Sequence, residues 1–349
     1  MTKASSKPYH VVAIGNAIVD VISQHDQDFP ANNGMKHGQM DLLDFSAADP
    51  AARAREIYDR MKETSIVSGG SAANTLAGLA QMGQRCAFIG RVRDDEMGAH
   101  FRHNLKAIGV DYRTPSNTEG PPTAQCLIIV TPDGERTMNT FLGAAGEVFE
   151  SDIDDAMMRG SEIVFAEGYM WDKPCTKQAI RKAIAIAKEA NCKVAFTASA
   201  EFCIANHRAE FQQMLAQDID IFFCNEEEAK ALYPEKSWEE TLDTLQSQCE
   251  IAAVTLGEKG SIILTPGARY RVAATPVTNL VDTTGAGDMY AAGFLHGLCQ
   301  GHGMEVCAKI GGATAAVVIQ QIGARADTPA ILRARDAVLA KDKGAALAS

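Results

Sequence analysis

Aromatic residues make up only 6% of the 349-residue chain, and acidic residues outnumber basic ones, 44 to 33. So few aromatics leave little with which to stack a strand of bases, and a formal charge of -11 repels polyanions. A nucleic-acid partner is therefore excluded. No apolar run is long enough to span a bilayer. Val11-Val12-Ala13-Ile14 soon meets Asn16 and Asp20, and the opening Met1 to Pro8 is polar, so neither a membrane partner nor a secretory start is expected. With 46% hydrophobic and 22% charged residues, the composition is that of a globular protein with a sizeable core.

Metal-binding patterns are missing too. The nine cysteines include no C-x-x-C pair, and several lie in apolar runs such as Ile221-Phe222-Phe223-Cys224, which fits reduced, buried thiols in a cytoplasmic protein. The eight histidines show no H-E-x-x-H spacing and are read as structural or solvated. Also absent are G-x-x-x-x-G-K-[ST] and a G-x-G-x-x-G directly after the first strand, which removes a P-loop NTPase and a dinucleotide-binding fold.

What is present is an alternation of short β-like runs with longer helical ones, the pattern of an α/β protein with a largely parallel sheet. Strands are expected at 11–14, 86–89, 125–130, 163–165, 193–197, 219–223, 252–255 and 261–264. Many are continuously apolar, as for strands covered by helices on both faces. Helices are expected over 71–82, 174–190, 287–298 and 305–320, and Ser237-Trp238-Glu239-Glu240 reads as a capping box opening another. Residues 17–43 and 112–142 break this rhythm and read as extra strands, which paired together would make a small lid over a cleft. No Ser/Gly linker divides the chain. The expected layout is one core over 8–335 with those two lid segments inserted, and a C-terminal tail over 336–349.

Four short motifs carry the chemistry. In Asp282-Thr283-Thr284-Gly285-Ala286-Gly287-Asp288, the bare backbone of Gly285, Ala286 and Gly287 opens a helix and can crowd an anion, while Asp288 stands in the first turn. The stretch is either an ordinary helix start or an anion hole beside a carboxylate base. The surrounding acids and hydroxyls favour the latter, because a hydroxyl attacking a phosphate needs both. Ser68-Gly69-Gly70-Ser71-Ala72-Ala73-Asn74 is either a capped turn or a close backbone approach to a ligand, with Asn74 suited to polyol hydroxyls. Asn225-Glu226-Glu227-Glu228 follows a strand, at the sheet edge where open α/β folds bind ligands; it is either a solvated helix start or an acidic partner for hydrated Mg2+. Thr255-Leu256-Gly257-Glu258-Lys259-Gly260 is a hairpin turn or a nucleotide contact. Asp20 and Arg136 taken singly read as surface charges.

In this order the motifs resemble the ribokinase-like (PfkB) carbohydrate kinases, over about residues 10 to 330. The resemblance implies a three-layer α/β/α sandwich with a mainly parallel central sheet, a small β-sheet lid over the acceptor, and ATP with Mg2+ at the carboxyl edge. It implies Asp288 as catalytic base, Gly285, Ala286 and Gly287 as anion hole, and Arg136 reaching the transferred phosphate. It implies that Asn225, Thr255, Gly257 and Gly260 lie along ATP and that Glu228 meets Mg2+ through water. In some members the positions of Asp282 and Thr284 hold K+.

Gly15-Asn16-Ala17-Ile18-Val19-Asp20 and the segment following Arg136 resemble the adenosine kinase branch, in which Asn16, Asp20, Gly69, Gly70 and Asn74 would grip a ribose. The expectation is an ATP-dependent kinase of a nucleoside, adenosine at its 5'-hydroxyl. The alternatives are a kinase of a free sugar or sugar acid (ribose, fructose, 2-keto-3-deoxygluconate) and a non-catalytic nucleotide or sugar sensor. The expected partner is a small-molecule nucleoside or sugar, and the expected state a monomer or a lid-mediated homodimer.

Overall fold

The computed structural model describes residues 7–348; the start of the polar opening stretch lies outside them. Among the described residues fourteen strands form two sheets. They are β1 (Tyr9–Ile14), β2 (Ile18–Gln24), β3 (Met40–Leu42), β4 (Ser65–Ser68), β5 (Cys86–Ile89), β6 (Asp111–Tyr112) and β7 (Ala124–Val130). There follow β8 (Arg136–Phe141), β9 (Ser161–Glu167), β10 (Lys193–Thr197), β11 (Ile221–Asn225), β12 (Ile251–Thr255), β13 (Ser261–Thr265) and β14 (Ala268–Val272).

The nine-stranded sheet runs β14-β13-β12-β11-β10-β9-β1-β5-β6. It is parallel from β12 to β6, and the β13 and β14 hairpin extends it antiparallel. Its central strands are apolar on both faces because both are covered. Val12 and Ile14 pack into one core with Trp171 and Phe196, and Val11 and Ala13 into the other with Phe88 and Phe294. The helices Ala286–Cys299 and Met304–Val318 pack closely, as their small residues suggested. A Cβ on Gly293 would lie 2.5 Å from Thr314 Oγ1.

The five-stranded sheet runs β3-β8-β7-β2-β4 and carries its own core, in which Val21, Leu127, Ile129 and Phe141 pack on Ile57 of the Pro50–Arg60 helix. The two irregular segments do supply β2, β3, β7 and β8, four of the five strands of this sheet. β4 was not expected: Ile66-Val67 is too short an apolar run to stand out. β14 was missed because Arg269-Tyr270-Arg271 is polar, as suits an edge strand. The helix beginning at Thr328 runs on to Ala348, past the expected core boundary, and Val338 and Leu339 pack against the main core.

Candidate active site

The carboxyl ends of the parallel strands and one face of the small sheet bring the motifs together. The helix Ala286–Cys299 starts at Gly285, whose φ of 76° is left-handed, the conformation that glycine adopts without strain. Of its first-turn N–H groups, that of Ala286 donates back to the Thr283 carbonyl at 3.1 Å, while those of Gly287 and Asp288 have no intrahelical acceptor. A Cβ on Gly287 would meet no protein atom within 4 Å, so packing does not demand that glycine. Asp288 projects from this turn. Its Oδ1 accepts from Ser71 Oγ at 2.6 Å and its Oδ2 from Asn74 Nδ2 at 3.0 Å. Burial raises its carboxyl above the ordinary range, while Ser71, Asn74 and Arg325 pull it down.

Ser71 and Asn74 lie on the first turn of the Ser71–Gln81 helix, which Gly70 introduces with a φ of 84°. A Cβ on Gly70 would be driven into the Asn16 carbonyl oxygen, and one on Gly69 would lie 2.5 Å from either carboxylate oxygen of Asp20. Burial pushes the Asp20 carboxyl up to about 7, against the pull of Arg325 and Arg136. Asn16 is 2% exposed. Its N–H donates to Glu167 Oε1 at 2.8 Å, and its Nδ2 is left without a protein partner.

Two residues that the sequence reading overlooked complete this group. Glu167, at the end of β9 and 0% exposed, also accepts from Ala72 N at 2.7 Å, tying the Asn16 loop to the Ser71–Gln81 helix. Burial pushes its carboxyl to about 7. Its signal was legible, an acid closing the apolar run Ile163-Val164-Phe165-Ala166. Arg325 donates from Nε to Asn74 Oδ1 at 2.8 Å and from Nη2 to the Gly69 carbonyl at 3.3 Å. A lone Arg in Gly323-Ala324-Arg325 gives no such signal.

Asp20, Cys126 and Thr140 are cross-strand neighbours on one face of the small sheet, followed by Ile22, Ile128 and Met138, with Arg136 on the same face. Arg136 Nη2 meets Asp282 Oδ2 at 2.7 Å, and Nη1 donates to Thr284 Oγ1 at 3.3 Å. Asp282 also accepts from Thr284 N at 3.0 Å and from Gly323 N at 2.7 Å. Asp20 and Arg136 are therefore elements of the cleft.

Asn225 and Glu228 stand at the end of β11 as a reciprocal capping box. Asn225 Oδ1 accepts from Glu228 N at 2.7 Å and Glu228 Oε2 from Asn225 N at 2.9 Å. The spacing Asn-x-x-Glu announces this cap. Glu228 is 7% exposed, and burial pushes its carboxyl to about 7. Thr255 ends β12, and Gly257 and Gly260 shape the turn into β13, so the segment is a hairpin at the same sheet edge. A Cβ on Gly260 would be driven into the Val272 carbonyl oxygen, whereas one on Gly257 would meet nothing.

A carboxylate on the first turn of a helix, beside the polar group of Asn16, Asp20, Ser71 and Asn74 and next to a second sheet, is the arrangement of a ribokinase-like phosphotransferase acting on an alcohol. The chain belongs to the pfkB family of carbohydrate kinases, whose family model matches residues 34–331. It is 26% identical to the 5-dehydro-2-deoxygluconokinase of Halalkalibacterium halodurans over 319 residues, 87% of this chain and 96% of that protein. Among solved structures it is similar to an adenosine kinase from Sinorhizobium meliloti (43% identity, TM-score 0.87, covering 95% of this chain and 99% of that one). A probable sugar kinase from Rhizobium etli matches at 41% identity and TM-score 0.87 with the same coverage. Among the described residues no helix is long and apolar enough to cross a membrane.

Proposed function

We propose that this chain transfers the γ-phosphoryl group of MgATP to a primary hydroxyl of a free sugar or sugar acid of the keto-deoxy class. The observation that carries the reaction is Asp288, held by Ser71 and Asn74 in the first turn of the helix that Gly285 opens. In this reading Asp288 takes the acceptor's proton, the Gly285, Ala286 and Gly287 backbone receives the phosphoryl oxygens, and Arg136 adds positive charge. Asn16, Asp20, Gly69, Gly70 and Asn74 hold the acceptor hydroxyls, and the small sheet serves as the lid. Asn225, Thr255, Gly257 and Gly260 border ATP.

Mg2+ fits as a hydrated ion carried by the nucleotide. Among the described residues no cluster of three ligating side chains exists, and Glu228 offers a buried carboxylate oxygen toward its water shell. A monovalent cation fits less well, since the Asp282 carboxylate is engaged by Arg136, Gly323 and Thr284.

The acceptor class is supported by the curated relatives, which favour the sugar-acid alternative over the adenosine expected from the sequence. Adenosine is the second reading. It is favoured by the Sinorhizobium meliloti match and by the apolar row Ile22, Ile128 and Met138, on which a purine would lie next to the polar row of Asp20 and Thr140. An ADP-release assay with MgATP against 5-dehydro-2-deoxygluconate, 2-keto-3-deoxygluconate, ribose, fructose, adenosine and inosine separates them. Turnover on the sugar acids or sugars supports the proposal. Turnover confined to nucleosides establishes the second reading, and silence on every acceptor overturns both.

A further inference from the structure

The side chain of Asn74 is held at both ends. Its Oδ1 accepts from Arg325 Nε at 2.8 Å, and its Nδ2 donates to Asp288 Oδ2 at 3.0 Å. The two ends of a carboxamide are chemically different, one only accepting and the other only donating. With Arg325 in place, the amide has one orientation that satisfies both neighbours. Turned over, it would set its NH2 against a guanidinium and its oxygen against a carboxylate. Arg325 is itself anchored through Nη2 to the Gly69 carbonyl, next to Asp20.

The surroundings of Asp288 are otherwise neutral or acidic. Ser71 and Asn74 face it from the Ser71–Gln81 helix, Asp20 from β2, Glu167 from β9, and Tyr169 from the turn after β9. Arg325, in the segment after the Met304–Val318 helix, is the cation acting on it. We propose that Arg325 is a positioning residue for Asp288: it fixes the donor end of the Asn74 amide on the base and supplies the positive charge that keeps that base ionised. The inference rests on Asp288 being the general base. Burial lowers the Arg325 guanidinium to about 10, which still leaves it charged at neutral pH. Burial pushes Asp288 toward its neutral form, and Arg325 opposes that push.

The test is the pH profile of kcat/KM for Arg325→Met, Arg325→Lys and Asn74→Leu, using MgATP and the acceptor turned over in the assay above, 5-dehydro-2-deoxygluconate or adenosine. In Arg325→Met the acid limb should move up by about one pH unit, so that activity falls roughly tenfold at low pH and recovers substantially at high pH. Arg325→Lys keeps the charge and should keep the limb near its wild-type position. A folded Arg325→Met with a uniform loss and an unmoved limb overturns the proposal, because a purely structural role predicts that pattern. If Arg325→Met does not fold, Arg325→Gln takes its place as the neutral variant. A raised limb in Arg325→Gln with a wild-type limb in Arg325→Lys supports the proposal, and an unmoved limb in Arg325→Gln overturns it; Asn74→Leu reports the direct contribution of the amide donor alone. Asp288→Asn is run alongside. Normal turnover there sinks the general-base reading itself, whereas a dead Asp288→Asn with an unmoved limb in Arg325→Met sinks only the role of Arg325.

Discussion

Arg136 and Asp282 meet at 2.7 Å with only 11% and 3% of their side chains exposed, joining the small sheet to the helix start that carries the candidate base. The pair sets a charge from β8 at the site to which the phosphoryl group is assigned. It also supplies the Asp282 carboxylate with a cation belonging to the chain.

Replacing K+ by tetramethylammonium should therefore leave turnover nearly unchanged. A loss of about tenfold or more, equivalent to more than about 1.4 kcal/mol on the barrier, would show that an inorganic cation is needed despite Arg136.

Asp288→Asn keeps the shape of the first turn and removes the proton acceptor. Turnover should fall by roughly two to four orders of magnitude with acceptor binding largely kept, measured as kcat against the acceptor Kd. Near-normal kcat would rule out Asp288 as the base.

Asp20→Ala removes the carboxyl assigned to the hydrogen bonds of the acceptor hydroxyls and should act on KM. The measurement is made at pH 8, above the value of about 7 to which burial raises that carboxyl, where it is ionised. The expected rise is roughly tenfold to a hundredfold, since such bonds are worth about 1.5–3 kcal/mol. An unchanged KM would place the acceptor elsewhere.

Gly70→Ala combines a left-handed backbone with a methyl group aimed at the Asn16 carbonyl. Thermal unfolding should report a loss of more than about 1 kcal/mol, and acceptor binding should weaken with it, because Asn16 must move. A variant as stable as the parent would mean that the turn relaxes freely.

Asp20, Glu167 and Glu228 are each pushed by burial to about 7. An unfolded carboxyl titrates near pH 4, so the native state holds protons that the unfolded state has released. The stability contributed by these groups is full below about pH 4 and is lost as pH rises through 7. The Tm should fall between pH 5 and pH 8. Glu228→Gln, which preserves the capping box, should flatten that slope. A Tm that rises over this interval would contradict the shifts.

The sequence was most readable where burial on both faces makes a strand uniformly apolar. Cys86–Ile89 and Lys193–Thr197 lie where the apolar runs placed them. It was least readable where position depends on pairing. β4 exists because β2 supplies its partner, through Val19 opposite Ser68, and nothing local to Ser65–Ser68 announces that. The site followed the same division. Asp288 and Gly285 belong to a local signature, a helix start with bare backbone. Asp20 and Arg136, single charges in β-like surroundings, gain meaning only when the small sheet turns their shared face toward Asp282 and Asp288. Arg325 is contiguous with Asn74 and Gly69 in space alone, so no window of sequence contains that relationship.

The wide separation of these residues along the chain bears on how the protein is made. Asn16 and Asp20 leave the ribosome early, Glu167 midway, and Asp288 and Arg325 only after every described strand of the central sheet has been synthesised. A nascent chain can bury its apolar strands well before Asp288 and Arg325 join the acceptor residues. Activity is then a late event in synthesis, and chains interrupted before Asp288 would be inert even where their sheet has formed.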